Sequence, residues 1–494
     1  MSAQNESIQD RLHHLESHHA DRVAAFRRRL AQVGYDRVLV LLLDMGKNVH
    51  WMTALTAAGQ ELVPPFKLPT TSTGLHRCLH LADSLIDSAA FDWLLLGHEP
   101  TGVYHEPWAR TFLQHFAAHL EGRTAPRMDY LFFNPYQVKL ARQQTHLRHR
   151  KNDPRDLAAM FDLMTRGLGQ PAFLPTGAEL LIRNEVGFIR AQSRLLGRLE
   201  RQLLQQLDRL WPGAVLNLAK FSRAHPGLDK PTPIIQTHPL QRQRLRVLLQ
   251  HCPNPYQLRA LSDQQLLDLY RTHTGRAGPA LLKTLRTWTH NGVLPPPDVA
   301  APLADQLQRL FGQYTFTETL IQDAHGRLEP LVPLTPARHL PAFPGLSLND
   351  AARYLAGIGS VSRFHRAAEV WAFAGLDPLT DGSGDAPDRV GHLSKRGDPA
   401  FRDALYQMGY RAALHYPPIG LTFLNAFQRS HSEVLATIHA AHRVNRICFH
   451  LVANDEPFQD LSTPHLSAER DRRWAAFLAA KKRRRKRTKR RRRT

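Results

Sequence analysis

Two carboxylates three residues apart, Asp153 and Asp156, open an apolar-periodic stretch in HLRHRKNDPRDLAAMFDLM. On a helix that spacing puts both on one face, one turn apart. Pro154 suits the first helical turn, and Asp153 suits the cap before it. Leu157, Met160, Phe161 and Met164 follow at helical spacing and can hold the helix against a core. Arg148, His149, Arg150 and Lys151 precede the pair, so two acids sit in a basic, phosphate-attracting setting. A divalent-metal phosphoryl-transfer site needs that combination. By itself the stretch also reads as a capped helix beside a solvated charged loop.

A second stretch offers a nucleophile. Gly382-Ser383-Gly384 presents a hydroxyl in an exposed, flexible turn, and Leu393-Ser394-Lys395-Arg396-Gly397-Asp398 and a helix carrying Arg402 follow. Lys395, Arg396 and Arg402 could neutralise charge on a phosphorane-like transition state. Serine between glycines is also an ordinary turn. Pro344-Gly345 and Gly357-Ile358-Gly359 mark a helical hairpin that either offers backbone N–H groups to DNA phosphates or is simply a hairpin.

The elements that must position these groups begin with Val38–Leu43, a continuous apolar run expected for a strand buried on both faces. It ends in Asp44, turns at Met45-Gly46-Lys47, and continues as a second strand over Val49–Ala54. A looser ELVPPFKLPTTSTG segment, a helix over Leu75–Ile86, and a strand Trp93–Leu96 come next. That strand delivers Gly97-His98-Glu99-Pro100. A third buried strand, Tyr130–Phe133, precedes the Asp153/Asp156 helix. Strands alternating with helices imply an α/β domain with a partly parallel sheet. If the Asp44 and Glu99 strands are parallel neighbours, their carboxylates emerge side by side at the end where such sheets bind ligands. HEPTGVYHE is no zinc-protease motif, because Pro100 and Gly102 break the helix and the spacing is wrong.

Composition narrows the partners. The net charge of +22 calls for a polyanion, and the terminal run KKRRRKRTKRRRR supplies twelve of those charges. The remainder of the chain is basic in its own right. Three separated cysteines give neither a disulfide framework nor zinc spacing, as expected in a reducing compartment. The polar first twenty residues argue against a secretory signal, and Val38–Leu43 is too short to span a bilayer. A soluble intracellular protein with no membrane partner is expected.

DMGKNVH, HEPTGVY and KNDPRDLAAM, in that order, resemble the DEDD transposases of bacterial insertion sequences, a group that includes Piv-type DNA invertases and bridge-RNA-guided recombinases. The resemblance implies a ribonuclease-H-like (RuvC-like) domain whose metal-binding acids are Asp44, Glu99, Asp153 and Asp156. Leu157 departs from the family's usual alanine. The second half carries Ala374-Gly375-Leu376, Ser383-Gly384, Lys395-Arg396-Gly397-Asp398, Phe401-Arg402 and Leu405, which match the family's serine-bearing domain. Ser383 matches its nucleophile, and Ser394 is the fallback. The resemblance covers roughly 36–170 and 340–455.

The expected architecture is therefore multidomain, α/β plus α. It runs from a helical extension (1–35), through a RuvC-like mixed-sheet domain (36–170) and a helical or coiled-coil region (171–336), to a mainly helical serine-bearing domain (337–465) and a polybasic tail (466–494). In the central region Leu180 to Leu207 form a basic amphipathic stripe, read as a coiled-coil arm or a bundle helix. The tail, including Lys481 and Arg483, is expected to be disordered and to bind nucleic acid by counterion release. Arg148, Arg150, Lys151, Lys395, Arg396 and Arg402 are further candidates for nucleic-acid contact. The resemblance implies Mg²⁺ (or Mn²⁺), donor and target DNA, a structured non-coding guide RNA, a dimer or tetramer, and a prokaryotic, nucleoid-associated cytoplasmic enzyme. Two rivals stay open: a RuvC-like junction nuclease using activated water, and a non-catalytic basic nucleic-acid-binding protein.

Overall fold

Residues 8–88, 90–100, 102–145, 153–381 and 389–491 are described by a computed structural model. Helix α1 (Ile8–Val33) leads into β1 (Val38–Met45), whose first six residues are buried. Alternation divides β1 between two cores. Leu39, Leu41 and Leu43 point into one, and Val38, Val40 and Leu42 into the other. A strand covered on both faces needs no polar face, which explains the unbroken apolar run.

Strands β2 (Val49–Thr56) and β3 (Glu61–Pro69) continue from β1 as an antiparallel meander. β3 is a sheet edge, where Pro64 and Pro65 are tolerated. After α2 (Ser72–Asp87), β4 (Trp93–His98) pairs parallel with β1. Helices α3 (Glu106–His115) and α4 (Ala117–Leu120) precede β5 (Arg127–Phe132), which is parallel to β4. Then come α5 (Pro135–Thr145), α6 (Asp153–Thr165) and a two-residue strand β6 (Gln170–Pro171). The sheet order β3-β2-β1-β4-β5-β6, with the meander on one side and parallel strands on the other, is that of a RuvC-like mixed sheet. Residues of α2 and α3 fill the first core, and residues of α1, α5 and α6 fill the second. Arg29 of α1 lies over the Trp93 ring, 4.1 Å from its centroid, and pairs with Asp129 at 3.3 Å.

The central region is helical: α7 (Gly177–Leu210), α8 (Leu218–Ala224), α9 (Gln243–His251), α10 (Pro255–Ala260), α11 (Asp263–Thr274), α12 (Pro279–Asn291) and α13 (Pro297–Leu328). Leu199, Leu203 and Leu207 of α7 join a core with α9, α12 and α13, so this part of the long helix is a bundle helix. α13 starts within the proline-rich stretch LPPPDVAAP. Pro297 occupies a first-turn position, where the missing N–H has no helical partner to lose.

The remainder is α14 (Leu348–Ile358), α15 (Ala367–Phe373), a two-stranded ribbon of β7 (Pro378–Asp381) and β8 (Arg389–Leu393), then α16 (Pro399–His415), α17 (Pro417–Ser430), α18 (Glu433–Asn454) and α19 (Pro464–Arg491). The ribbon was not foreseen from a stretch read as a loop. The tail departs from expectation too: its basic run continues α19 to Arg491 and is not disordered. Lys and Arg are good helix formers, and the run is nucleated by a packed stub in which Trp474 and Phe477 meet Phe423 in tilted and edge-on contacts.

Contacts divide the chain into two compact units. One contains Met1–Leu180, Ile358–Gly409 and Asn425–Ala453, and the other Leu181–Gly357, Tyr410–Leu424 and Asn454–Thr494. Each is discontinuous in sequence. Within the first, the sheet shares a unit with the β7–β8 ribbon.

Candidate active site

Register decides where the first two acids emerge. β1 and β4 are in parallel register with Leu43 opposite His98, so the next residues, Asp44 and Glu99, leave neighbouring strands at the same level. Both are half-buried, and both line a cavity of about 400 Å³. Asp156, on the second turn-forming position after Pro154 in α6, lines the same cavity and is only 4% exposed. Leu157, Met160 and Met164 press α6 onto the sheet and hold Asp156 in place. Asp153 begins α6, but its side chain lies outside the described residues, as do Arg148, Arg150 and Lys151.

Cations complete the cavity. Lys47, Lys139 and Arg142 line it, with Trp51 and Tyr104. Arg142 donates from Nη1 to Asp156 Oδ1, an ion pair whose side chains are 19% and 5% exposed. Lys139 and Arg142 were missed in the sequence, although their spacing of three on the helix before the acid pair puts them on one face. Among the described residues no three His, Cys, Asp or Glu side chains form a metal-binding group. The donor set is nevertheless all carboxylate oxygen, the chemistry that suits Mg²⁺ or Mn²⁺. Asp44, Glu99 and Asp156 share the cavity, and in this arrangement the Asp156 carboxylate is held by Arg142.

Two buried histidines sit on β2 and β4 of the same sheet, His50 and His98. His98 Nε2 is 2.7 Å from the Tyr130 hydroxyl, and burial pushes its pKa down to about 3. His50 meets Trp108 edge-on at 4.4 Å, and burial lowers its pKa to about 4. Both are neutral aromatic packing at neutral pH.

The serine stretch is built differently. Ser383 lies outside the described residues, between the strands of the β7–β8 ribbon. The ribbon's base is held backbone to backbone. Ser394 N–H donates to Asp377 O at 2.8 Å, and Lys395 N–H donates to Gly375 O at 3.0 Å. A Cβ on Gly397 would stand 2.0 Å from Phe373 O, and Gly375 has φ +69° with Gly397 N 2.6 Å from any added Cβ. Only glycine permits this approach at either position. Ser394 Oγ donates to Asp377, so the fallback hydroxyl is engaged in holding the base. Arg402 is likewise turned inward, its Nη1 donating to Ala374 O at 3.1 Å. Lys395 and Arg396 are exposed. In the other unit, Lys481 lies 5.8 Å from the Phe477 ring centroid and Arg483 is exposed. The Pro344-Gly345 turn, also in that unit, is occupied by its own chain: Asp350 accepts from Ser347 N–H at 2.9 Å and pairs with Arg411.

Two family models match the chain. Residues 43–212 are similar to a DEDD transposase model of the IS110 kind, and residues 337–424 to one described as Transposase IS116/IS110/IS902 family. No curated protein matches it. Among the described residues no helix is long and apolar enough to cross a membrane.

Proposed function

Because the chain belongs to the DEDD transposase family of insertion sequences, and so acts on DNA as a transposase or recombinase, we propose that it cuts and rejoins strands by serine attack beside a carboxylate-bound metal. The observation that carries the reading is the convergence of Asp44, Glu99 and Asp156 on one cavity rimmed by Lys139 and Arg142. Those acids, with Asp153, would hold Mg²⁺ or Mn²⁺, which supplies charge neutralisation at the scissile phosphate when bound. Ser383 Oγ forms the new bond to phosphorus and gives up its proton, while one P–O bond to the adjoining sugar breaks and that sugar oxygen leaves as a hydroxyl. The phosphoserine conserves the energy of the phosphodiester, and the reverse attack by a sugar hydroxyl rejoins DNA and frees the serine. Lys139 and Arg142 favour phosphate entry into an acidic cavity that would otherwise repel it.

The family resemblance further supports a structured guide RNA pairing with donor and target DNA, and an oligomer in which one subunit's acids meet another's serine. Lys395, Arg396, Arg148, Arg150, Lys151 and the tail residues Lys481 and Arg483 are the proposed backbone contacts. Phosphate contacts position nucleic acid without reading its sequence.

The test is covalent. Denaturing a stalled reaction should leave DNA attached to the peptide around Ser383. Ser383→Ala should lose both adduct and recombination while retaining DNA binding. Asp153→Asn should lose cleavage with little change in melting temperature. Mixing Ser383→Ala with Asp44→Asn subunits should restore part of the activity if the site is shared between chains. Cleavage that survives Ser383→Ala without any adduct would leave a metal–water nuclease standing. Binding with no metal-dependent cleavage would leave the architectural reading.

A further inference from the structure

Neither matched stretch covers residues 213–336. The part of it before α13, residues 213–296, has eleven Lys or Arg against three Asp. Four of those cations are committed to the fold: Arg246 to Glu318, Arg286 to Asp263, Arg259 to the Thr289 carbonyl and Arg271 to Asp268. Arg244 and Arg276 are not spent in this way, and Arg242 only donates from Nε to the Thr237 carbonyl at 3.4 Å, a long bond that leaves the rest of its guanidinium uncommitted. All three are exposed and line a cleft of about 960 Å³ bounded by the 234–237 segment, the start of α9, the end of α11 and the first turn of α12. Among the described residues none of the three has a carboxylate partner.

The fold fixes the positions of these arginines. The Tyr270 hydroxyl donates to Arg244 O at 2.8 Å, and Thr274 Oγ1 donates to Arg276 O at 2.7 Å. Gly275, with φ +72°, ends α11 and turns the chain so that Arg276 follows on the cleft wall. Buried Ile235, Tyr270 and Leu281 give the cleft a rigid floor. The first turn of α12, Pro279–Leu281, adds the partial positive charge of a helix start.

We propose that this cleft is a second nucleic-acid site, which clamps the phosphate backbone of a strand at a distance in sequence from the acids and the serine. Three guanidiniums on an open wall suit a chain of successive phosphates; an enclosed small anion would be met by buried donors. The site contributes affinity and positioning but no base readout. It stands independently of the serine mechanism, because its test measures binding and not strand exchange.

The experiment compares the full chain with R242Q/R244Q/R276Q and with R242K/R244K/R276K, binding a fluorescent single-stranded RNA or a fluorescent duplex DNA over a series of salt concentrations. Three lost phosphate contacts should reduce the slope of log K against log salt by roughly 2 to 3 in the glutamine variant, while the lysine variant keeps it. A reduction with RNA alone, DNA alone or both identifies which backbone the cleft holds. Photo-cross-links from a bound strand should map to peptides within 234–281 in the unaltered protein, a readout that needs no variant to fold. Unchanged slopes with both probes, or the absence of cross-links there, would overturn the proposal.

Discussion

The acid cavity and the serine-bearing ribbon are secured by opposite means. Asp44 and Glu99 ride on strands whose side chains interlock with two cores, and Asp156 on a helix pressed down by Leu157, Met160 and Met164. There the backbone is regular and side chains hold the geometry. At the ribbon's base, glycine backbones touch other backbone atoms directly, and side chains such as Ser394 and Arg402 serve only to close the turn. A site of the first kind tolerates isosteric exchange of its functional group, because the supporting packing is elsewhere. One of the second kind tolerates no added atom at its contact points.

Arg142→Met provides the largest expected break in this contrast, because the cavity then behaves like a core. It leaves the Asp156 carboxylate buried without its partner, at a cost of roughly 3 kcal/mol. Chemical denaturation should show that loss in metal-free buffer, and Mg²⁺ should recover part of it. A stability unchanged from the parent would mean the pair contributes nothing to the fold.

Gly397→Ala should cost about 1–3 kcal/mol, since the methyl meets the Phe373 carbonyl and neither backbone can move freely. Its strand-transfer activity should fall further than its stability, whereas Mg²⁺-dependent behaviour of the cavity is retained. Equal loss in both would erase the distinction between the two regions.

The smallest effect concerns pH and sharpens the picture of the sheet. His50 has its pKa lowered to about 4 by burial, against an ordinary 6.5. The unfolded chain therefore binds the proton first, so stability is full above about pH 6.5 and declines as pH falls toward 4. By pH 5 the loss attributable to His50 is about 2 kcal/mol. His50→Phe should flatten the acid side of the melting-temperature profile over that window. An unchanged acid slope would place the titration elsewhere.

The strands and the order of the acids were legible in the chain because both are local. The Val38–Leu43 run, the Trp93–Leu96 run and the 3.6-residue spacing after Asp153 each state their element within a few residues. The mixed sheet and the family followed from those and from the quoted motifs. The tail was misjudged because charge density argued for disorder, whereas an apolar stub nucleates a helix that good helix formers extend. The ribbon beside Ser383 in sequence was missed because its strands are only four and five residues long, and the close approach of Gly375 to Gly397 at its base joins residues twenty-two apart, beyond any local pattern.

What the sequence determined by itself was the type of each element and the chemistry each carries, since periodicity, capping and residue type act over one or two turns. Only the tertiary structure decided that Leu43 faces His98, that Arg142 is committed to Asp156, and that Ile358–Gly409 joins the sheet's compact unit. Those outcomes depend on register and on packing between distant segments. Their free energies arise from shared burial, which no local pattern of residues encodes.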